Sequence, residues 1–170
     1  IIGCLAIFTP GIKERFIEMY ESFNKPPVDV HYDSTNIRRA IFDCSVSTAK
    51  ENFIAGVGFE NLQDTLNNCY ASNYDSSFYD SVTYMTHNYY FYILLSSGII
   101  GFFFLIIYFI HIIKITIKSK IFLFNVFLFN ALIVCFFEDY LYRQYGVLYF
   151  NLMLMCFIQN SKNNDLSINN

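Results

Sequence analysis

The sequence predicts an all-α integral membrane protein, with several transmembrane helices and one large outer loop that contains short amphipathic helices. Composition is the first observation: hydrophobic residues make up 55% of the 170 residues and charged residues only 15%, whereas soluble domains have about 25% charged residues. The mean hydropathy of +0.36 is the second. The third is the length of the apolar runs, which is sufficient to cross a bilayer. A net charge of −3 disfavours a nucleic-acid partner.

The polar part of the chain is predicted to be one loop, residues 9–87, between two membrane spans. Residues 1–8 are apolar and are interpreted as the end of a transmembrane helix. Because the chain opens inside this apolar run, we expect it to be a fragment, the C-terminal part of a longer multi-spanning protein. Loops of this length are usually functional and not only connective.

Three short helices are predicted within the loop. Pro10 suits the first position of a helix, and Pro26 ends that helix. Good capping residues at positions 34–36 begin a second helix, which extends to about Lys50. The remaining elements of the loop are a tight turn at Gly56 and Gly58, a helix at residues 61–69 and an irregular stretch at residues 71–84.

The last part of the chain is predicted to contain three transmembrane helices. The first, residues 88–113, begins with tyrosines suited to the membrane interface, and its Gly98 and Gly101 allow a neighbouring helix to approach closely. The lysines of residues 114–120 predict a cytoplasmic loop, which places the loop of residues 9–87 outside. A second transmembrane helix is predicted at residues 121–137. Residues 138–159 are predicted to form an outer turn, marked by Glu138, Asp139 and Arg143, and then the last transmembrane helix. Residues 160–170 are predicted to be a loose cytoplasmic tail.

Two sets of polar residues are candidates for chemistry. His87, where the outer loop enters the first of these helices, can titrate near neutral pH and act as a base. Alternatively, His87 and Asn88 only cap the helix. Arg38 and Arg39 fall in the first turn of the second loop helix, where guanidinium groups and unpaired N–H groups suit a diphosphate. Alternatively, the two arginines form a solvated face or contact lipid headgroups.

The cysteines and glycines indicate no metal or nucleotide site. The five cysteines have no spacing typical of a metal centre. Cys44 and Cys69 are free to pair if their loop faces an oxidising space, and the sequence leaves this open. Gly56 and Gly58 lack the pattern and the strand–helix context of a dinucleotide-binding loop. We therefore predict no metal and no nucleotide cofactor.

The order of these pieces resembles the C-terminal region of the O-antigen ligase / O-antigen polymerase family. The matching features are an Arg-bearing helix, a GVG turn at residues 56–58, an HN pair at residues 87–88, and a GxxG pattern at residues 98–101 of the helix that follows. The resemblance covers residues 1–115 by motif and the last two helices only by topology. The chain departs from the family pattern at Phe53, where a proline often precedes the glycines.

This resemblance implies residue roles as well as a membrane location. Family members transfer a glycan from undecaprenyl diphosphate to an acceptor on the periplasmic side of the bacterial inner membrane, with no metal or nucleotide sugar. His87 matches the family's loop histidine, which activates the acceptor hydroxyl or orients the donor. Arg38 matches the loop arginine that binds the diphosphate, because Phe42 then takes the aromatic place four residues later. Arg39 is one position away and stays a second candidate; Gly56, Gly58 and Asn88 are expected to shape the loop.

The function expected from the resemblance is that of an O-antigen ligase, with lipid A core as the acceptor. One alternative is the repeat-unit polymerase of the same family, and another is a ligase that glycosylates proteins. A third is a non-catalytic subunit for polysaccharide transport or export. A transporter is expected to have polar groups at bilayer depth. In residues 89–113 the candidates for such groups are only Ser96, Ser97 and His111, which argues against the transport alternative. As a fragment, the chain is expected to be inactive by itself.

Overall fold

The computed structural model describes residues 10–24, 34–74 and 83–168, and this part of the chain is helical, without strands. The predicted end of a transmembrane helix at residues 1–8 lies outside the described residues. The all-α class is therefore confirmed for the described part. In chain order the helices are α1 (Pro10–Asn24), α2 (Ser34–Glu51), α3 (Leu62–Asn73), α4 (Tyr89–Ser119), α5 (Phe122–Phe137) and α6 (Gln144–Ile168).

The buried residues form two groups that meet along α4. The first group, here called the loop core, joins α2 and α3 to the first part of α4; its buried residues are Ile37, Ala40, Ile41, Cys44, Leu62, Leu66, Tyr70, Tyr92 and Leu95. The second group, the apolar bundle, joins the rest of α4 to α5 and α6; its buried residues are Phe109, Ile112, Phe124, Leu128, Ala131, Phe150 and Leu154. One helix thus carries both groups.

The three loop helices lie where the sequence predicts them. Helix α1 begins at Pro10, α2 begins within the predicted capping residues, and α3 continues to Asn73, past the predicted end at residue 69. A disulfide joins Cys44 of α2 to Cys69 of α3 across a sequence separation of 25 residues. The pairing that the sequence left open is therefore present, and it connects the two loop helices directly.

Helix α4 is long and apolar enough to cross a membrane by length and composition, and it is the only described helix of which this is true. Its backbone leaves the helical conformation at Gly98, where φ is 67° and ψ is −168°. This region of the Ramachandran map is essentially restricted to glycine. The long helix therefore consists of two helical segments with a break at Gly98.

The segment after α2 fills this break with its own backbone. The N–H groups of Val57 and Gly58 donate to the carbonyls of Leu95 and Ser96, at 2.8 and 2.9 Å. In return the N–H of Ile99 donates to the Phe53 carbonyl at 2.8 Å. These bonds satisfy α4 backbone groups that the break leaves without a helical partner.

Two glycines make this close contact possible. A Cβ on Gly56 would lie 2.6 Å from the Leu95 carbonyl oxygen and the Gly98 nitrogen, and a Cβ on Gly98 would overlap the Ile54 carbonyl. Both distances are far below any real Cβ contact, and the obstacles are backbone atoms that cannot rotate away. The sequence predicts that Gly98 admits a neighbouring helix; in the structure it admits a turn.

The C-terminal half differs from the predicted boundaries in two places. Residues 114–119, predicted as part of a loop, continue α4, and the chain reverses only at Lys120, whose φ of 56° is left-handed. Lysine is a good helix former, and no proline or glycine interrupts the segment. Residues 160–168, predicted as a loose tail, continue α6, and this segment likewise contains no proline or glycine. These two predictions of irregular structure were wrong.

The outer surface of the apolar bundle is rich in exposed apolar side chains. They include Phe103, Phe104, Phe122, Leu123, Phe129, Phe136, Phe137, Leu148, Leu152 and Met155. An apolar surface this extensive is unusual on a monomer in water. It fits contact with lipid, in agreement with the apolar length of α4. The number of spans and the side on which the loop lies stay predictions.

Candidate functional site

The pair His87-Asn88 forms the turn that starts α4. Asn88 is the N-cap: its side-chain oxygen accepts a hydrogen bond from the Phe91 N–H at 3.0 Å. Its side-chain nitrogen donates to the Phe136 carbonyl at the end of α5, also at 3.0 Å. His87 has a left-handed φ of 46°, which is uncommon for a residue other than glycine. The pair is thus both a helix cap and a link to α5.

The carboxylate of Asp139 holds this turn in place. It accepts hydrogen bonds from the Thr86 hydroxyl at 2.6 Å, the His87 N–H at 3.0 Å and the Asn88 N–H at 3.1 Å. Asp139 is only 5% exposed, so its carboxyl oxygens depend on these donors in place of water. The unusual backbone of His87 is therefore fixed by a residue from the turn between α5 and α6.

Sequence reasoning missed this role of Asp139 and took it only as a marker of the outer turn. The signal that points to it is an acidic residue between two strongly apolar helices, where a carboxylate needs donors. Which donors it finds depends on the packing of α5 against α4, and the sequence does not show that packing.

The ring of His87 remains within reach of solvent. Its side chain is 34% exposed, and Nδ1 lies 3.6 Å from the Glu138 carboxylate. Tyr84 lies beside it, with ring centroids 6.2 Å apart. Glu138 is the natural partner for a charged imidazole. The His87 ring is therefore accessible from outside the protein.

His87 and Arg38 line the same cavity, of about 190 Å³, although they lie on different elements. The other lining residues are Ile41, Phe42 and Ser45 of α2, Thr86 and Asn88 of the turn, Phe91 of α4, and Phe136 and Phe137 of α5. Phe42 packs edge-on against Phe91 with centroids 5.8 Å apart, which holds α2 beside α4. The cavity therefore lies where the loop core meets the apolar bundle.

The two candidate arginines point in different directions. Arg38 is exposed, lines the cavity, and has no ion-pair partner within the described ranges. Arg39 instead lies 3.8 Å from the Asp43 carboxylate one turn further along α2. Tyr74 donates its hydroxyl to the same carboxylate at 3.4 Å; burial, together with the negative charge of Asp43, raises the pKa of Tyr74. The structure thus brings Arg38, and not Arg39, together with His87.

Gly56 and Gly58 lie away from the cavity and act on it through the backbone. Their segment bonds to the α4 carbonyls of Leu95 and Ser96, which sets the position of the C-terminal end of α2 against α4. This docking joins α2, which contains Arg38, to α4, which follows His87 in the chain. Among the described residues, no three His, Cys, Asp or Glu side chains lie close enough to hold a metal ion.

Residues 1–106 match the model of a protein family described as O-antigen ligase. The match includes Arg38, His87 and Asn88, and it ends inside α4, so that Asp139 lies beyond it. No curated protein and no solved structure matches the chain.

Proposed function

We propose a specific reaction for this chain, which belongs to the O-antigen ligase family. It transfers a glycan from undecaprenyl diphosphate to a lipid A core acceptor, at the periplasmic face of the bacterial inner membrane and without a metal or a nucleotide sugar. The observation that carries the proposal is the shared cavity of Arg38 and His87 at the start of a long apolar helix. A lipid-linked donor needs such a place, because its tail remains in lipid while its glycan is in water.

Arg38 binds the diphosphate of the donor. Two phosphate groups concentrate negative charge, and a guanidinium group presents parallel donors that fit phosphate oxygens. Arg38 has no ion-pair partner in the described part of the chain, so no carboxylate of the described residues has to be displaced. The charge on the leaving diphosphate grows as the glycosidic bond breaks, so a fixed cation here stabilises the transition state more than the ground state.

His87 acts as the general base. The acceptor hydroxyl gives its proton to the imidazole as its oxygen attacks the anomeric carbon, and the bond from that carbon to the diphosphate oxygen breaks with its electron pair leaving on the diphosphate. Glu138, 3.6 Å from Nδ1, stabilises the imidazolium that forms and leaves Nε2 for the acceptor. General base catalysis of this kind contributes about 100- to 10,000-fold to a rate.

The disulfide supports the outer location of the loop. Cys44 and Cys69 are bonded to each other, and disulfides persist in the periplasm and are rare in the cytosol. This agrees with the orientation predicted from the lysines at 114, 118 and 120, which favour the cytoplasmic side.

A polymerase of the same family is the second candidate. Its donor chemistry is the same, and the family assignment includes both activities in general terms. The two differ in the acceptor, which is lipid A core for the ligase and another lipid-linked repeat for the polymerase. A gel of the surface polysaccharide distinguishes them.

The test is complementation in the host strain, with the full-length gene deleted and then restored. If the protein is a ligase, the deletion strain accumulates long chains on the lipid carrier and has none on lipid A core. Single repeats on the core identify a polymerase instead, and an unchanged profile rejects both and favours a transport or export subunit. Restoration by wild type but not by His87→Ala or Arg38→Lys, at equal membrane expression, is the expected result.

Arg39→Lys is the matched control for Arg38→Lys. Both substitutions keep a positive charge on α2, but only Arg38 lines the cavity with His87. We expect Arg39→Lys to restore normal chains and Arg38→Lys to lower transfer at least tenfold, because a point charge does not replace a bidentate donor. The reverse result assigns the diphosphate to Arg39 and contradicts the cavity as the donor site.

A further inference from the structure

One hydroxyl in the wall of the cavity is buried without a partner. Ser45 lies on α2, on the same helical face as Arg38 and Phe42, and contributes to the cavity lining. Its side chain is 1% exposed, and its Oγ makes no hydrogen bond to any residue that the structure describes. Buried hydroxyl groups in native proteins nearly always have a partner. The missing partner of Ser45 therefore needs an explanation.

The other polar groups of the lining are already used within the protein. The Thr86 hydroxyl donates to Asp139, and both ends of the Asn88 side chain are bonded. The rest of the lining is mostly apolar, formed by Ile41, Phe42, Phe91, Phe136 and Phe137. Apart from the His87 ring, which the proposed function assigns to the acceptor, Ser45 and Arg38 are thus the groups of the described lining whose hydrogen-bonding capacity no protein atom takes up.

We infer that Ser45 is a donor-binding residue whose hydroxyl donates a hydrogen bond to an oxygen of the donor's glycosyl diphosphate. This inference rests on the proposed function. Seven residues of α-helix separate Arg38 from Ser45, which is about 10 Å along the axis. An extended glycosyl diphosphate covers this separation, with Arg38 on the charged part and Ser45 deeper in the cavity. The polyprenyl tail offers no acceptor, so the partner is an oxygen of the diphosphate or of the first sugar.

The inference predicts that the Ser45 hydroxyl contributes to donor binding and not to the stability of the donor-free protein. Removing a hydroxyl that has no partner in the free protein relieves an uncompensated buried polar group, so the free protein loses no stability. Removing the same hydroxyl from the donor complex loses a hydrogen bond to the ligand. Ser45→Ala is therefore expected to keep or raise the thermal midpoint of the donor-free protein and to raise KM for the donor about tenfold, with kcat nearly unchanged.

The experiment uses the full-length protein in lipid nanodiscs, with the carrier-linked glycan purified from the host as donor. Ser47→Ala is the matched control, because Ser47 is exposed, lies two residues along the same helix and is not part of the cavity lining. We expect no change in midpoint or KM for it. Ser45→Cys keeps a weak donor at nearly the same volume, and we expect a KM between those of wild type and Ser45→Ala.

A second arm identifies the oxygen, with undecaprenyl diphosphate as the probe. If Ser45→Ala reduces the thermal stabilisation that this probe gives, the bonded oxygen belongs to the diphosphate. If only KM for the glycan-bearing donor changes, the oxygen belongs to the sugar. A lower midpoint of donor-free Ser45→Ala shows that the hydroxyl is used inside the protein and overturns the inference, as do an unchanged KM and an unchanged response to the probe.

The failure of the proposed function has a different signature. In that case the wild-type protein transfers no glycan, and Arg38→Lys changes nothing in the complementation test. The thermal stabilisation by undecaprenyl diphosphate still tests Ser45 in that case, because it depends on binding of the probe and does not depend on turnover.

Discussion

In the loop core, a disulfide and backbone hydrogen bonds add to side-chain packing between the helices, whereas in the apolar bundle side-chain packing holds most of the contact. The loop core contains the disulfide of Cys44 and Cys69 and the backbone hydrogen bonds that dock Val57 and Gly58 onto α4. The bundle relies on stacked rings, such as Phe124 on Phe157 at 4.9 Å. Specific bonds fix distances, and packing tolerates other side chains of similar volume. The proposed site needs a fixed distance between Arg38 and His87, and α2 and the first part of α4, which line the cavity, belong to the loop core.

The largest effect is expected where two backbones touch. Gly98→Ala would overlap the Ile54 carbonyl and also force alanine into a conformation restricted to glycine. We expect it to cost about 4 kcal/mol and to abolish transfer. The midpoint of thermal unfolding in detergent measures the first, and complementation measures the second.

Alanine substitutions at two other glycines serve as comparisons for Gly98→Ala. Gly58 has a left-handed φ of 88°, but a Cβ there would come no nearer than 3.6 Å to another atom, so Gly58→Ala carries strain without overlap. Gly11 has nothing within 4 Å of such a Cβ. The expected order of destabilisation is Gly98, then Gly58, then Gly11, and equal midpoints for all three variants would contradict the docking at the α4 break.

Loss of the disulfide is expected to have the next largest effect. Replacing both Cys44 and Cys69 by serine should destabilise the loop core by about 3 kcal/mol, because the unfolded chain regains the freedom of a closed loop of 25 residues. Cys156→Ser is the control, since Cys156 is a free and exposed thiol of the bundle. Protease sensitivity of the loop reports the change, and a reductant should reproduce it in wild type only. A loop that resists protease in the double variant would argue against this role.

The junction of the two regions is expected to respond more moderately. Asp139→Asn leaves one oxygen to serve three donors, those of Thr86, His87 and Asn88. We expect a loss of about 2 kcal/mol and at least a tenfold drop in transfer, because His87 is no longer held. Glu138→Gln removes a charge 3.6 Å from the His87 ring but no hydrogen bond to the backbone of the turn, so it should leave the thermal midpoint unchanged. Equal midpoints for the two variants would remove Asp139 from the support of the turn.

The smallest effect is expected on the outer face of the bundle. Met155 is 69% exposed on α6, and Met155→Leu should change the free energy of unfolding by less than about 0.5 kcal/mol. Met155→Lys tests the membrane instead: if this face meets lipid, the lysine should lower the yield of inserted protein. Normal insertion of both variants would mean that this position does not lie in the hydrocarbon region.

Local patterns were enough to predict the loop helices. Pro10 marks the start of α1 and the capping residues of positions 34–36 mark that of α2, because each acts within a few residues of itself. The same local reasoning failed at residues 114–119 and 160–168, where charge and polarity were taken as signs of irregular structure. A polar segment without proline or glycine can extend a helix that the preceding turns have already nucleated, because propagation costs less than nucleation.

The sequence by itself determined the all-helical class, the long apolar helix and, through the order of its motifs, the family to which the chain belongs. Only the tertiary structure decided that Arg38 and not Arg39 shares a cavity with His87, that Cys44 bonds to Cys69, and that Gly98 breaks α4 to admit a turn. Tertiary structure also supplied Asp139 as the anchor of the His87 turn. Periodicity and capping depend on residues that are neighbours along the chain, so they can be recognised from the sequence. The pairing of distant groups depends on how α2 and α5 pack against α4, and that packing is settled only when all three helices are in place.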